Sequence, residues 1–204
     1  MMRALIFVSL PQMNQSGDNA KGSAATNWSG SMDITVFSTN YLNDLAEQAA
    51  GSPRRRQNRN VHASYADPCQ RMFNAIDPDS YLAPHRHSPL QGNETIVAVR
   101  GLLALVIFDD LGRISESLLI GAGHCSAREG VAAGADIPPL RWHTILALEA
   151  ASILLEVKAG PFDPQMPKEV APWAPEEGTP DAHRYHQSVI ERIRQQFEWC
   201  ERSK

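Results

Sequence analysis

Pro84-His85-Arg86-His87 opens a stretch that continues through Glu94 and Thr95-Ile96-Val97-Ala98-Val99 to Gly101. In an extended strand, residues i and i+2 share a face. A strand here therefore turns His85 and His87 the same way. Two imidazoles and a carboxylate, Glu94, are donor types that hold a divalent first-row metal. A third imidazole, His143, begins a second apolar stretch downstream and completes a His3Glu set. An H-x-H pair by itself is common in surface loops. The set of four gains its meaning from flanking sequence that reads as β structure.

Working outward, the strand signals are short and frequent. Residues 54–64, 70–76, 81–87, 95–99, 102–108, 114–120, 142–148 and 152–158 read as strands, separated by Gly, Pro and Asp turns. No βαβ rhythm interrupts them, which argues for an antiparallel barrel or jelly roll. A helix precedes them, capped by Ser38 or Thr39, with Leu42, Leu45, Ala46 and Ala49 at helical spacing and Gly51 at its end. Residues 160–181 carry six prolines and read as irregular chain over the surface, pinned by Trp173. From Ala182 a second helix sets Ile190, Ile193, Phe197 and Cys200 in a narrow stripe. The stripe packs on its own domain or, alternatively, forms a homodimer contact.

These stretches resemble the cupin motifs. As in the first motif, H-x-H is followed by a Glu and then by a Gly seven positions later, here Glu94 and Gly101. Six residues separate His87 from Glu94, a longer interval than the family's, and no Gly stands five residues before His85. Gly134 through Pro138-Pro139 to His143 resembles the second motif; Ala147 stands where an Asn often follows. Within the superfamily the chain resembles the WbuC family most. That likeness rests on Gln70-Arg71-Met72, Pro84-His85-Arg86-His87, Glu94-Thr95, Trp142-His143-Thr144, Glu156 to Phe162 and Trp173 to Glu177.

The resemblance implies a mainly β, antiparallel cupin-type barrel (jelly roll) with an N-terminal and a C-terminal helix. It implies one divalent metal on His85, His87, Glu94 and His143, with Fe(II) first and Mn, Zn or Ni as alternatives. It also implies a sugar or sugar-nucleotide ligand, because the family is associated with bacterial O-antigen gene clusters. It does not choose between catalysis and binding. Three chemistries follow from such a centre. One is Lewis-acid isomerase or epimerase chemistry on a sugar, another is Fe(II)-dependent dioxygenation, and the third is carbohydrate binding around a structural metal. A metal-free epimerase with a histidine base fits poorly with four good ligands.

Around this set, Arg56, Asn58, Asn60 and His62 share one face by their period of two. They line a polar cavity or, as an edge strand, face solvent. Arg71 and Glu156 are further pocket candidates. Glu156 lies within an apolar strand, and a buried carboxylate there needs a partner, Lys158 or Arg71. Arg86, between the two histidines, points to the opposite face and reads as structural.

Composition sets the outer limits. The chain has 204 residues, 43% of them hydrophobic, enough for one core with extensions. A net charge of -4 and a pI near 6.0 give no nucleic-acid footprint, and Arg54-Arg55-Arg56 reads as a solvated run. Cys69, Cys125 and Cys200 are odd in number and widely spaced, arguing against a disulfide framework and for a reducing cytoplasm. No stretch is long enough to span a membrane. The apolar run after Arg3 is short for a secretory signal. The sequons at Asn27 and Asn93 read as chance matches. Three regions are expected: a disordered extension over 1–31 with Met32 as an alternative start, a cupin domain with its helix over 32–178, and a C-terminal helix over 179–204.

Overall fold

The structure is a computed structural model that describes residues 34–164 and 168–197. The expected extension over 1–31, the Met32 start, the Asn27 sequon and Cys200 of the helical stripe lie outside the described residues. The elements run in the order α1 (Thr39–Gly51), β1 (Arg56–Asn60), β2 (Cys69–Ile76), β3 (His85–Arg86), β4 (Glu94–Arg100), β5 (Leu102–Phe108), β6 (Ile114–Gly121), β7 (Val131–Ala132), β8 (Gly134–Ile137), β9 (Trp142–Ala147), β10 (Ser152–Ala159), β11 (Glu169–Val170) and α2 (Pro180–Phe197).

The strands form two sheets, ordered β1-β2-β10-β4-β8 and β11-β3-β9-β5-β6-β7. All pairings are antiparallel except the short β6–β7 contact. The fold is thus mainly β, a double-sheet jelly roll of the kind cupins share. The expected barrel does not close, because no hydrogen-bonded ladder joins the two sheets among the described residues. Closure would need long strands at the seams. Instead the edge strands β7 and β11 span two residues each.

Each sheet has one face inward and one face under a helix, which explains the near-continuous apolar strands. On β5, Leu103 and Leu105 enter the layer between the sheets with Ile96, Ile120, Ile145 and Leu154. Its alternate residues Leu102, Ala104, Val106 and Phe108 face the other way and pack with Val189, Ile190 and Ile193 of α2. α1 does the same for the other sheet, where Leu45, Ala46 and Ala49 cover Phe73, Ala75 and Ile153. The apolar stripe of α2 therefore packs on its own domain. Trp173 joins that same cluster, ringed by Phe108, Trp142 and Tyr185.

α1 begins where the sequence places it. The Ser38 hydroxyl accepts a hydrogen bond from the Tyr41 amide at 3.2 Å. Ser38→Ala is expected to cost about 1 kcal/mol, the usual worth of such a cap. Urea denaturation should show the loss as a lower midpoint at unchanged slope. No helix of the described residues is long and apolar enough to cross a membrane.

Candidate metal centre

The layer between the sheets is apolar at one end and polar at the other. Along β10 the inward residues change from Leu154 to Glu156 and Lys158, and along β9 they run from His143 to Ile145 and Ala147. Antiparallel pairing lines up the polar ends: Lys158 faces Glu94 across β10–β4, and His85 faces His143 across β3–β9. The six residues between His87 and Glu94 contain a 3-10 turn, Pro89–Gln91, that carries the chain from one sheet to the other. The longer interval is therefore a bridging turn.

His85, His87, Glu94 and His143 converge, one ligand atom from each lying within 4.8 Å of the others, and all four residues are buried. Nε2 of His87 and Nε2 of His143 each lie 3.1 Å from Glu94 Oε2. The His87 contact misses hydrogen-bond geometry, and both of its ring nitrogens are buried with no hydrogen-bond partner. An unsatisfied buried group costs about 1–3 kcal/mol, a penalty that a metal ligand recovers. Nδ1–H of His85 and of His143 can donate to the carbonyls of Ala83 and Arg141, at 3.0 and 2.9 Å. That tautomer leaves Nε2 with its lone pair free for a metal. The residues present therefore fit a divalent metal.

The electrostatics agree. Burial, with help from Lys168 and His143, holds the His85 imidazole well below its ordinary pKa and so in the neutral, ligating form. Burial alone would raise the Glu94 carboxyl, but the nitrogens of His143 and His87 and the neighbouring Glu156 hold it well below the usual range. Glu156 goes the other way, raised by burial and by the Glu94 charge. Lys158 donates to Glu156 Oε1 at 2.6 Å and Asn74 donates to Oε2 at 2.9 Å. Lys158 is thus the partner of Glu156, and Arg71 instead meets Asp67 at 3.4 Å.

A cavity of about 530 Å³ opens onto the four ligands. Of the other candidates, Arg56, Asn58 and Glu156 line it, whereas Asn60, His62 and Arg71 do not. β1 ends at Asn60, and His62 is buried beyond the strand with Nδ1 against the backbone of Arg71. Arg56 pairs with Glu177 at 2.8 Å and donates to the Tyr81 carbonyl at 2.8 Å. Arg86 points away from the cavity, as expected, bonding Glu169 at 2.7 Å and stacking on Trp142 at 4.1 Å.

Asn74, Gln91, Phe162 and Lys168 line the cavity without having been singled out from sequence. Asn74 was readable, since it shares the inward face of β2 with Ile76. Lys168 gave no signal, because it sits in a proline-rich stretch without periodicity. Although the residue is exposed, its ammonium is desolvated, and that burial brings its pKa down to about 8 against the pull of Glu156.

A family model described as a domain of unknown function (DUF6016) matches residues 37–120, less than half of the chain. No curated protein matches. Among solved structures, KdgF from Halomonas sp. is 16% identical at a TM-score of 0.41, over 57% of this chain and 88% of its own. Protein SO0799 from Shewanella oneidensis is 12% identical at a TM-score of 0.45, over 66% of this chain and 83% of its own. A Bacillus subtilis oxalate decarboxylase mutant is 19% identical at a TM-score of 0.40 over 55% of this chain, and the match spans only 27% of that enzyme. The jelly-roll assignment rests on strand order and register, and the centre on the convergence of His85, His87, Glu94 and His143 in a buried cavity.

Proposed function

We propose that the protein holds one divalent metal on His85, His87, Glu94 and His143 and acts on a sugar or sugar nucleotide by isomerase- or epimerase-like chemistry, in bacterial O-antigen or polysaccharide metabolism. The observation that carries this is the Glu156 carboxyl, raised by burial and by Glu94, lining the same cavity as the ligand set. A buried carboxyl with a raised pKa, facing the cavity beside the ligand set, is suited to moving a proton at a substrate carbon or hydroxyl. Lys158 and Asn74 fix its orientation. A divalent metal, when bound, supplies Lewis acidity toward a substrate oxygen. Three imidazoles and a carboxylate suit Fe(II) first, with Mn, Zn and Ni also compatible. The likeness to WbuC in the quoted motifs supports the sugar class, and the cytoplasm is the corresponding compartment.

Lys168 adds selectivity for a negatively charged ligand such as a nucleoside-diphosphate sugar. Its ammonium is charged below about 8 and loses its proton as pH rises through that value. An anion prefers the charged form, so affinity is expected to be highest below pH 8 and to weaken above it. Lys168→Met should flatten that dependence and weaken binding roughly 10–100-fold, the worth of one charge-assisted hydrogen bond. Calorimetric titration of a nucleoside-diphosphate sugar against the corresponding neutral sugar tests this. Equal affinity for both at every pH would refute it.

The decisive experiment is metal analysis of protein purified without added metal, combined with an oxygen electrode and an isomerisation assay read by NMR. One equivalent of metal that is lost in His143→Ala, with sugar proton exchange and no O₂ uptake, is the expected result. Iron with substrate-dependent O₂ uptake would replace it with the dioxygenase, and stoichiometric metal with no turnover would leave the binding protein.

A further inference from the structure

A second constellation of metal-ligating side chains stands at the far end of β9 from His143. Sγ of Cys125 lies 3.3 Å from His124 Nε2 and 3.3 Å from Glu149 Oε2. His124 Nε2 lies 3.3 Å from the same Glu149 oxygen. The three donors thus make a nearly equilateral triangle. Zinc bonds of about 2.0–2.3 Å at tetrahedral angles place ligand atoms roughly 3.3–3.6 Å apart. The observed triangle is one face of that tetrahedron. We propose that His124, Cys125 and Glu149 form a second cation site, for a thiophilic divalent metal of the zinc class, with the fourth position open to solvent.

The local fold is built around this triangle. Gly123 takes a positive φ of 64° and starts the 3-10 turn Gly123–Cys125, which turns the Cys125 side chain into the protein, where the residue is fully buried. The turn lies so close to β6 that a Cβ on Gly121 would sit 2.9 Å from the Cβ of Cys125. Glu149 comes from the β9–β10 connection. Its amide is anchored on the Leu102 carbonyl at 3.3 Å. Arg128 holds its other oxygen, Oε1, at 3.4 Å, which leaves Oε2 directed at the sulfur and the imidazole. The bland alternative is a thiol donating a hydrogen bond to a carboxylate, with the histidine nearby by chance. An ion pair between His124 and Glu149 accounts for that one distance, but not by itself for Nε2 and Oε2 both standing 3.3 Å from the same sulfur. The bland alternative also leaves a buried cysteine beside a half-buried carboxylate where a small apolar residue would serve. With metal bound, sulfur coordinates as thiolate, its proton passes to solvent, and the charges of Cys125 and Glu149 balance the dication. Softness separates the two centres: a site with sulfur favours zinc-class ions, whereas the His3Glu set contains only nitrogen and oxygen.

Cobalt(II) distinguishes the sites, because only thiolate ligation gives an intense near-ultraviolet charge-transfer band. The full chain would carry Cys69→Ser and Cys200→Ser, so that Cys125 is its sole thiol, and would be titrated with cobalt(II) after chelation. Two equivalents are expected to bind, with the thiolate band accompanying one of them. His124→Ala removes an exposed side chain and should fold normally, yet lose at least 10-fold in affinity for the band-forming equivalent. His143→Gln should leave that equivalent untouched. Absence of the band in folded protein, or a band insensitive to His124→Ala, would overturn the site. Failure at the His3Glu centre alone would remove the other equivalent and leave the band, so the two outcomes are separable.

Discussion

His143→Ala is expected to lose its metal and keep its fold. The residue is 2% exposed and opposes His85 across β3–β9, so its imidazole is positioned by the sheet itself. Its Nδ1–H can bond the Arg141 carbonyl and its Nε2 meets Glu94 at 3.1 Å. Loss of an outer partner of a metal ligand costs about 10–100-fold in affinity. Loss of a ligand should exceed that, leaving this centre substoichiometric after dialysis. The β pairing of β9 with β5 does not depend on this side chain, so the far-ultraviolet spectrum should persist. Some instability should follow from the space left between the sheets. His143→Gln, which keeps most of the volume, separates that effect from ligand loss. As many equivalents of metal as in wild type, at unchanged affinity, in His143→Ala would refute the four-ligand centre. His62 would not replace it, because its Nδ1 is engaged with the Arg71 backbone and it stands outside the cavity lining.

Occupancy should also depend on pH. His85 has a depressed pKa in the folded state, so its neutral form is fully present above the ordinary histidine value near ~6.5 and is lost only well below it. A depressed folded-state pKa contributes stability above the unfolded value, and that contribution declines as pH falls. Acid is therefore expected to release metal and destabilise the fold together, with metal retained into the mildly acid range.

The parts of this fold readable from sequence are those where one physical rule acts alone. β5 was readable to the residue, since an apolar run bounded by Gly101 and Asp109 has few other structures open to it. That His85, His87, Glu94 and His143 come together was readable from their donor chemistry and from the likeness of their spacing to the cupin motifs. β3 was overestimated: a stretch read as 81–87 pairs only over His85–Arg86, since Pro84 cannot donate to a ladder. The row Arg56, Asn58, Asn60 and His62 shows the limit of period alone. Two of the four line the cavity, because β1 stops at Asn60 and the period stops with it. β11, Lys168 and the Glu149 contact with Cys125 depend on long-range packing and leave no local pattern.

Gly101→Ala is expected to be among the most destabilising single-methyl additions in the chain. Gly101 is the one residue between β4 and β5, and those strands belong to different sheets. The chain turns that corner at φ 74°, a region that costs a residue with a Cβ about 1–2 kcal/mol. The new Cβ would also lie 3.1 Å from both Cα and Cβ of Ser152 and against its Oγ. Ser152 is fully buried, and its hydroxyl donates toward the carbonyls of Glu149 at 2.7 Å and Leu102 at 3.2 Å, so it has little freedom to move away. Overpacking of this kind costs about 1–3 kcal/mol. Together the two effects amount to roughly 2–5 kcal/mol, or a fall in Tm of about 4–20 °C for a chain of this size. Because Glu94 and His143 reach the centre from the two sheets that Gly101 joins, metal affinity should fall along with stability. Gly101→Ala combined with Ser152→Gly removes the contacts with the Ser152 side chain but neither the approach to its Cα nor the backbone cost, and should recover part of the loss. If Gly101→Ala melted at the wild-type temperature, the corner would not be the close approach the structure shows, and the motif glycine would need another explanation.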